Sequence, residues 1–194
     1  MKVLGLTGGV GMGKSTAAGF LLSQGVRVVD TDALARQFVQ PGKPALVEIQ
    51  AAFGQTLVAP DGHLRRDELA RIVFADSAAR QKLEAILHPR IFAAWRAQIE
   101  IWRGENQPHA VVVIPLLYET KAETWFDKII CLACSAAAQQ QRLLARGWTA
   151  DQIRQRLAAQ WPVEQKIARA DFVVWTEGAI AAHQQQLEQI LKKL

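Results

Sequence analysis

The stretch Gly8-Gly9-Val10-Gly11-Met12-Gly13-Lys14-Ser15 fits the pattern G-x-x-x-x-G-K-[ST] in full. Its glycines permit a backbone nest whose N–H groups point inward at phosphate oxygens. The surroundings supply the context that this pattern requires. Lys2 to Thr7 reads as a strand, Lys14 to about Gln24 reads as a helix, and Gly25 suits the helix C-terminal cap. The unpaired N–H groups and dipole at the start of such a helix favour an anion. On this reading the backbone of Gly9, Gly11, Met12 and Gly13 cradles phosphates, and Lys14 reaches the β- and γ-phosphates. The Ser15 hydroxyl holds Mg²⁺ and Thr16 adds an α-phosphate contact, so ATP and Mg²⁺ are the expected co-substrate and ion.

Outward from this loop, a second strand at Val26 to Val29 ends in Asp30-Thr31-Asp32. Further β-rich runs are Ala110 to Ile114, Lys128 to Leu132 and Phe172 to Trp175, each set apart by helical pattern. The alternation predicts an α/β fold with a parallel sheet flanked by helices. Ligands of such sheets bind beyond the carboxyl ends of the strands, the edge that carries the phosphate loop. A carboxylate leaving strand two faces that edge. It can accept a proton from an acceptor hydroxyl, or hold Mg²⁺ through water. Asp32 is assigned this role, with Asp30 behind it; one of the two can instead solubilise the loop or cap the helix from Ala33 onward.

The segment between residues 29 and 110 is too long for an ordinary crossover, and its pattern is helical. Leu69, Ile72 and Val73 share a helical face, as do Leu83, Ile86 and Leu87. Ser77 is expected to cap the second of these helices, and Pro89 to begin a third at its first-turn position. Along that third helix run Ile91, Phe92, Trp95, Ile99 and Trp102. After Cys134, Ser135 caps a helix ending near Gly147, and Thr149-x-x-Gln152 reads as a capping box opening another. The resulting hairpin carries Arg142 and Arg146, one helical turn apart. They either clamp the transferring phosphoryl group or form a solvated basic face. The closing helix, Ala179 to Leu194, shows an apolar stripe of Ile180, Leu187, Ile190 and Leu191. The triplets Gln139-Gln140-Gln141 and Gln184-Gln185-Gln186 read as solvated faces.

Half of the 194 residues are hydrophobic, enough for a real core, and the longest apolar runs, such as 110–117, are too short to span a bilayer. No signal peptide precedes the first strand, which points to a cytoplasmic protein. The formal charge of +5 fits a nucleic-acid binder or an enzyme that gathers polyphosphates. Six tryptophans give the first reading some support, as base-stacking groups. The basic residues form no block, however, and Trp95 and Trp102 fall on an apolar stripe. The two cysteines, Cys131 and Cys134, sit in an apolar strand on opposite faces and read as buried core thiols. His88, before Pro89, has the look of a cap or packing residue, and the four histidines assemble no triad or metal cluster by spacing.

Several segments together resemble the dephospho-CoA kinase family. They are Leu6 to Thr16, Val28 to Arg36, Phe53-Gly54, Leu64-Arg65-Arg66, Leu87-His88-Pro89, Pro115 to Glu119, Gln141-Arg142-Leu143 with Arg146, and Ala159-Gln160 with Lys166 and Arg169-Ala170-Asp171. The resemblance covers almost the whole chain in order. It implies a P-loop NTPase fold, a three-layer α/β/α core (1–29, 105–135 and 163–194) with five parallel strands. A helical CoA-binding insertion at about 30–104 and a helical lid at about 136–162 complete it. It implies transfer of the ATP γ-phosphate to the ribose 3′-hydroxyl of dephospho-CoA, as the final step of coenzyme A biosynthesis. Asp32 is then the base, with Lys14 and Arg142 also catalytic and Arg146 in the lid on the nucleotide. Arg65, His88 and Glu119 lie toward the acceptor with Asp32, and Ser15 and Asp32 are the residues for the metal. Expected partners are ATP and dephospho-CoA, with no nucleic acid and no membrane, in a monomer or weak homo-oligomer.

Two positions depart from the family pattern. Val113 stands where many members carry an acid, so metal binding must lean on Ser15, Asp32 and water. Trp175-Thr176-Glu177-Gly178 replaces an Asp-Asn pair at the end of strand five, which leaves adenine contacts to backbone groups. Another small-metabolite or nucleotide P-loop kinase is the alternative reading; the motifs around Asp30 to Arg36 and Leu87 to Pro89 favour dephospho-CoA.

Overall fold

Five parallel strands form one sheet: β1 (Lys2–Gly8), β2 (Arg27–Asp30), β3 (His109–Val113), β4 (Lys128–Ala133) and β5 (Phe172–Trp175), in the order β2-β3-β1-β4-β5. The computed structural model describes residues 1–105 and 107–194, and the chain divides into two compact units, 1–30 with 99–194 and 31–98. The sheet belongs to the first unit. Leu4, Leu6, Val111, Val113, Ile130 and Leu132 supply one buried face by the two-residue alternation of a strand. That face packs on α1 (Lys14–Ser23) through Ala17 and Leu21, and on α9 (Ile180–Lys193) through Leu187 and Ile190. On the other face, a Cβ added to Gly5 would come within 2.7 Å of Leu117 and 2.9 Å of Phe126, so only glycine fits there. Burial on both faces is what lets β1, β3 and β4 read as unbroken apolar runs.

The helix ends follow their sequence signals. Gly25, at φ 77°, closes α1: its N–H donates to Leu22 O and the Val26 N–H to Leu21 O, the paired bonds of a Schellman cap. Ser135 caps α6 (Ala136–Ala145), accepting from the Ala138 N–H. Thr149 and Gln152 form the reciprocal capping box of α7 (Ala150–Ala158). α8 (Val163–Ile167) follows and leads into β5.

The second unit holds α2 (Thr31–Phe38), α3 (Pro44–Phe53), α4 (Arg66–Ala75) and most of α5 (Ser77–Gly104). Its own core gathers Val39, Ile49, Leu57, Leu69 and Val73, with Leu83, Ile86 and Leu87 packed against them.

The structure corrects the sequence reading at five points. Pro89 begins no helix; it lies inside the continuous α5. Proline there leaves the carbonyl four residues earlier without its amide partner. The helix nevertheless runs on through it, and Arg90 Nη1 donates to Ile86 O at 2.5 Å one position along. Asp76, not Ser77, caps α5, its Oδ1 accepting from the Ala78 N–H at 2.8 Å. Ile72 and Ile180 are exposed rather than core. Gln139 is buried rather than solvated. Gln186 pairs with both the N–H and the carbonyl of Trp175, closing part of the open edge of β5 with a side-chain amide. Among the described residues, no helix is long and apolar enough to cross a membrane.

Candidate active site

The phosphate loop leaves the end of β1, the central strand. Gly8, Gly11 and Gly13 take φ of 143°, 78° and 83°. A Cβ on Gly8 would lie 2.5 Å from Leu132 O, so strand β4 as well as the backbone angle demands glycine there. Gly13 stands at the N-cap of α1, with no side-chain cap and no acid in the first turn. That leaves the positive end of the helix without a built-in negative partner, the arrangement an incoming anion needs. Lys14 Nζ donates to Gly8 O at 2.8 Å and Gly9 O at 2.9 Å, which keeps the amine folded over the loop. Met12 is buried, its sulfur accepting weakly from the Gly9 N–H at 3.2 Å, while Ser15 and Thr16 are exposed at the start of α1.

Arg142, in the last turn of α6, turns back to the loop. Its Nη1 donates to Thr176 Oγ1 at 3.0 Å and more distantly to Gly11 O at 3.4 Å, and its Nη2 donates to the Thr176 carbonyl. Thr176 follows β5 and is itself buried. His183, on α9, is buried at the same place; a Cβ built on Gly13 would sit 3.6 Å from its ring. Burial first, and then the neighbouring Arg142 charge, lower the His183 pKa and keep its imidazole neutral. Arg146, one turn beyond Arg142, is exposed at the C-cap of α6.

Glu119 lies just past β3. Its Oε1 accepts from the Trp161 N–H at 2.7 Å and pairs with Lys166 Nζ at 2.7 Å. Lys166 also donates to Pro115 O at 2.8 Å. The structure thus ties Glu119 to the segment between α7 and α8. Of the remaining expected residues, Asp32, Arg65 and His88 belong to the second unit. Asp32 is exposed in the first turn of α2, Arg65 precedes α4 and pairs with Glu68 at 3.3 Å, and His88 is half-buried in α5.

A resident metal has few protein ligands here. Among the described residues, no three of His, Cys, Asp and Glu converge at metal-binding distance. The donor set at the loop is the Ser15 hydroxyl, which suits a Mg²⁺ ion that draws most of its oxygens from phosphate and water.

Sequence reasoning missed Gln139, Thr176 and His183. Gln139 is one of three consecutive glutamines, Thr176 stands out in the sequence only as part of a departure from a motif, and a lone histidine on an amphipathic helix carries no signal. Gln160 was visible only through the family pattern, with no role attached.

The loop and the side chains that reach it form one arrangement. It offers a backbone cradle for polyphosphate, an amine folded over the loop and a guanidinium on the loop's own carbonyl, the equipment of a P-loop kinase. Comparison with known proteins narrows the class. The family model for dephospho-CoA kinase (CoaE) matches residues 2–182. A dephospho-CoA kinase of Anaeromyxobacter dehalogenans is 44% identical over 195 residues, covering 100% of this chain and 92% of that one. A solved Thermus thermophilus structure superposes with a TM-score of 0.81 at 32% identity, covering 100% of this chain and 97% of the other. The dephospho-CoA kinase of Campylobacter jejuni shares the fold, with a TM-score of 0.71 at 24% identity over 98% and 96% of the two chains. The chain belongs to the dephospho-CoA kinase family.

Proposed function

We propose that this chain transfers the γ-phosphoryl group of ATP to the ribose 3′-hydroxyl of dephospho-CoA, giving coenzyme A and ADP. The observation that carries the reading is the phosphate loop at the end of β1, in a chain that matches the family over residues 2–182. The acceptor oxygen forms the new P–O bond, the bond to the β-phosphate bridge breaks, and the hydroxyl proton leaves to a base. Asp32 is that base: an exposed carboxylate at a helix start, a group able to accept a proton. Little else is covalent work, so the protein acts by alignment and charge neutralisation.

The loop backbone at Gly9, Gly11, Met12 and Gly13 cradles the phosphates together with Lys14 and Ser15, and Thr16 adds the α-phosphate contact. Lys14 leaves the carbonyls of Gly8 and Gly9 to follow the γ-phosphate as charge shifts onto the bridge. This exchange costs little, because two neutral acceptors are replaced by anionic ones. Arg142 and Arg146 act from the lid, 136–162, on the nucleotide. Arg65, His88 and Glu119 serve the acceptor, and the insertion at 30–104 binds CoA. Ser15, together with Asp32 through water, would hold a Mg²⁺ ion, which would supply positive charge to the phosphate oxygens. On the same reading the enzyme is cytoplasmic, monomeric or weakly self-associating, and acts without nucleic-acid or membrane partners.

The test is ADP release with ATP and Mg²⁺, with and without dephospho-CoA, and product identification by mass. ADP formed only with acceptor, together with a product heavier by one phosphate, is the expected result. No stimulation by dephospho-CoA from folded, ATP-binding protein overturns the acceptor assignment.

A further inference from the structure

Two glutamines hold Val10 of the phosphate loop from two sides. Gln139 Nε2 donates to Val10 O at 2.7 Å, and the Val10 N–H donates to Gln160 Oε1 at 3.1 Å. Gln139 lies near the start of α6, and Gln160 lies between the end of α7 and the start of α8. They are therefore the two feet of the α6–α7 hairpin, and both stand on the same residue.

Peptide planarity gives each contact a consequence. The Val10 carbonyl shares its plane with the Gly11 N–H, which points the opposite way. By holding the carbonyl, Gln139 sets the direction in which Gly11 presents its N–H. The Val10 N–H shares its plane with the Gly9 carbonyl, which accepts from Lys14 Nζ at 2.9 Å. Gln160 and Lys14 thus hold opposite ends of one peptide group. The second foot is fastened in turn: the Trp161 N–H donates to Glu119 at 2.7 Å, and the Trp161 ring stacks on Tyr118 at 6.0 Å and 11°.

We infer that Gln139 and Gln160 are positioning residues that couple the stance of the α6–α7 hairpin to the occupancy of the phosphate loop. Neither peptide of Val10 can rotate to meet a phosphate without moving a foot of the hairpin, and neither foot can move without rotating a peptide. The inference rests on the reading of the loop as the ATP site, and its partner is the ATP triphosphate itself.

The test uses the full chain with Gln139→Met, Gln160→Met and the double variant, which keep side-chain length but remove the hydrogen bonds. The readouts are the dissociation constant of a non-hydrolysable ATP analogue with Mg²⁺, and trypsin cleavage at the hairpin arginines Arg146 and Arg154 under saturating analogue. Thermal unfolding identifies any variant that has not folded. Each single change is expected to weaken binding about two- to tenfold, the worth of one hydrogen bond. The double change is expected to cost less than the product of the two, because both act through one residue. The analogue is expected to slow cleavage in the unsubstituted chain and to lose that effect in the double variant. Multiplicative losses, or undiminished protection in the saturated double variant, overturn the inference.

A second pair keeps it falsifiable if a methionine variant does not fold. Gln160→Glu retains an acceptor for the Val10 N–H, whereas Gln139→Glu sets an acceptor against the Val10 carbonyl, with the same added charge near the loop. Glutamate at 139 must weaken binding more; equal or reversed effects overturn the inference. If the unsubstituted chain fails to bind the analogue at all, the reading of the loop as an ATP site falls instead.

Discussion

Lys166 Nζ lies 2.7 Å from Glu119 Oε1, although the Lys166 side chain is wholly removed from solvent. A buried ammonium persists only where its donors find partners, and here it has the carboxylate and the Pro115 carbonyl at 2.8 Å. Thr7 Oγ1, on β1, reaches the same carbonyl at 3.3 Å, so one oxygen joins the central strand, the β3 exit and α8. The pair fastens the segment that carries Gln160 to the sheet edge from which the phosphate loop springs.

Removing one member of this pair leaves the other charge buried. Glu119→Ala is expected to cost about 3–5 kcal/mol. For a chain of this length that lowers the unfolding temperature by roughly 6–20 °C. Glu119→Gln keeps an oxygen for the Trp161 N–H and is expected to lose less. Calorimetry of the two variants checks this; equal and small losses would show that Glu119 is held for its role toward the acceptor and not for the fold.

Lys14 is half-buried and its Nζ bonds the Gly8 and Gly9 carbonyls of its own loop, so its removal is expected to cost little in folding. Lys14→Ala is expected to lower turnover by a factor of about 100 to 1,000, the range seen on losing a charge-stabilising group. The unfolding temperature should move by only a few degrees. A turnover within tenfold of the unsubstituted chain would remove Lys14 from the transition state.

The phosphate loop and the parallel core were legible because their signals are local. Glycines at fixed offsets, five short apolar runs and caps at Gly25, Ser135 and Thr149 each act within a few residues. What stayed hidden depends on partners remote in sequence. Gln139 finds its acceptor 129 residues away, and nothing in three consecutive glutamines separates the one that turns inward. Ile72 and Ile180 sit at apolar positions of amphipathic helices, yet burial depends on how each helix is rolled against its neighbours, which periodicity does not fix. Pro89 misled for the opposite reason, a strong local signal overridden by packing along α5.

The two thiols give a prediction with a definite sign. Burial pushes the Cys131 thiol up to about 11 and raises Cys134 as well, although positive neighbours pull the other way. At pH 7 to 8 both are protonated and sealed from solvent, and the thiolate is the reactive form. A thiol reagent such as dithionitrobenzoate is expected to leave the native enzyme unlabelled and active, and to label both positions after unfolding. Rapid labelling of the native chain would contradict the burial.

Arg142 spreads its donors over Thr176 Oγ1, the Thr176 carbonyl and Gly11 O, which only a planar fork can do. Arg142→Lys keeps the charge but not the geometry, so it is expected to behave nearly as badly as Arg142→Ala. Both should raise KM for ATP and lower kcat, by about tenfold or more in kcat/KM, the scale of a charge-assisted hydrogen bond. If lysine restores activity, charge alone suffices and the contacts with Thr176 are incidental.

Asp32 stands exposed in the first turn of α2, where its carboxylate is open to an incoming hydroxyl. As general base it is expected to contribute about 100- to 10,000-fold in rate. Asp32→Asn keeps size and helix start but cannot take the proton. It should therefore lower kcat by that factor, while ATP affinity stays within a few-fold and the unfolding temperature hardly moves. A loss confined to KM for dephospho-CoA would make Asp32 a binding group for the acceptor. Near-normal kcat in Asp32→Asn would mean that the hydroxyl proton leaves to another base or to the phosphate itself, and Asp30, at the end of β2, would be the next carboxylate to replace.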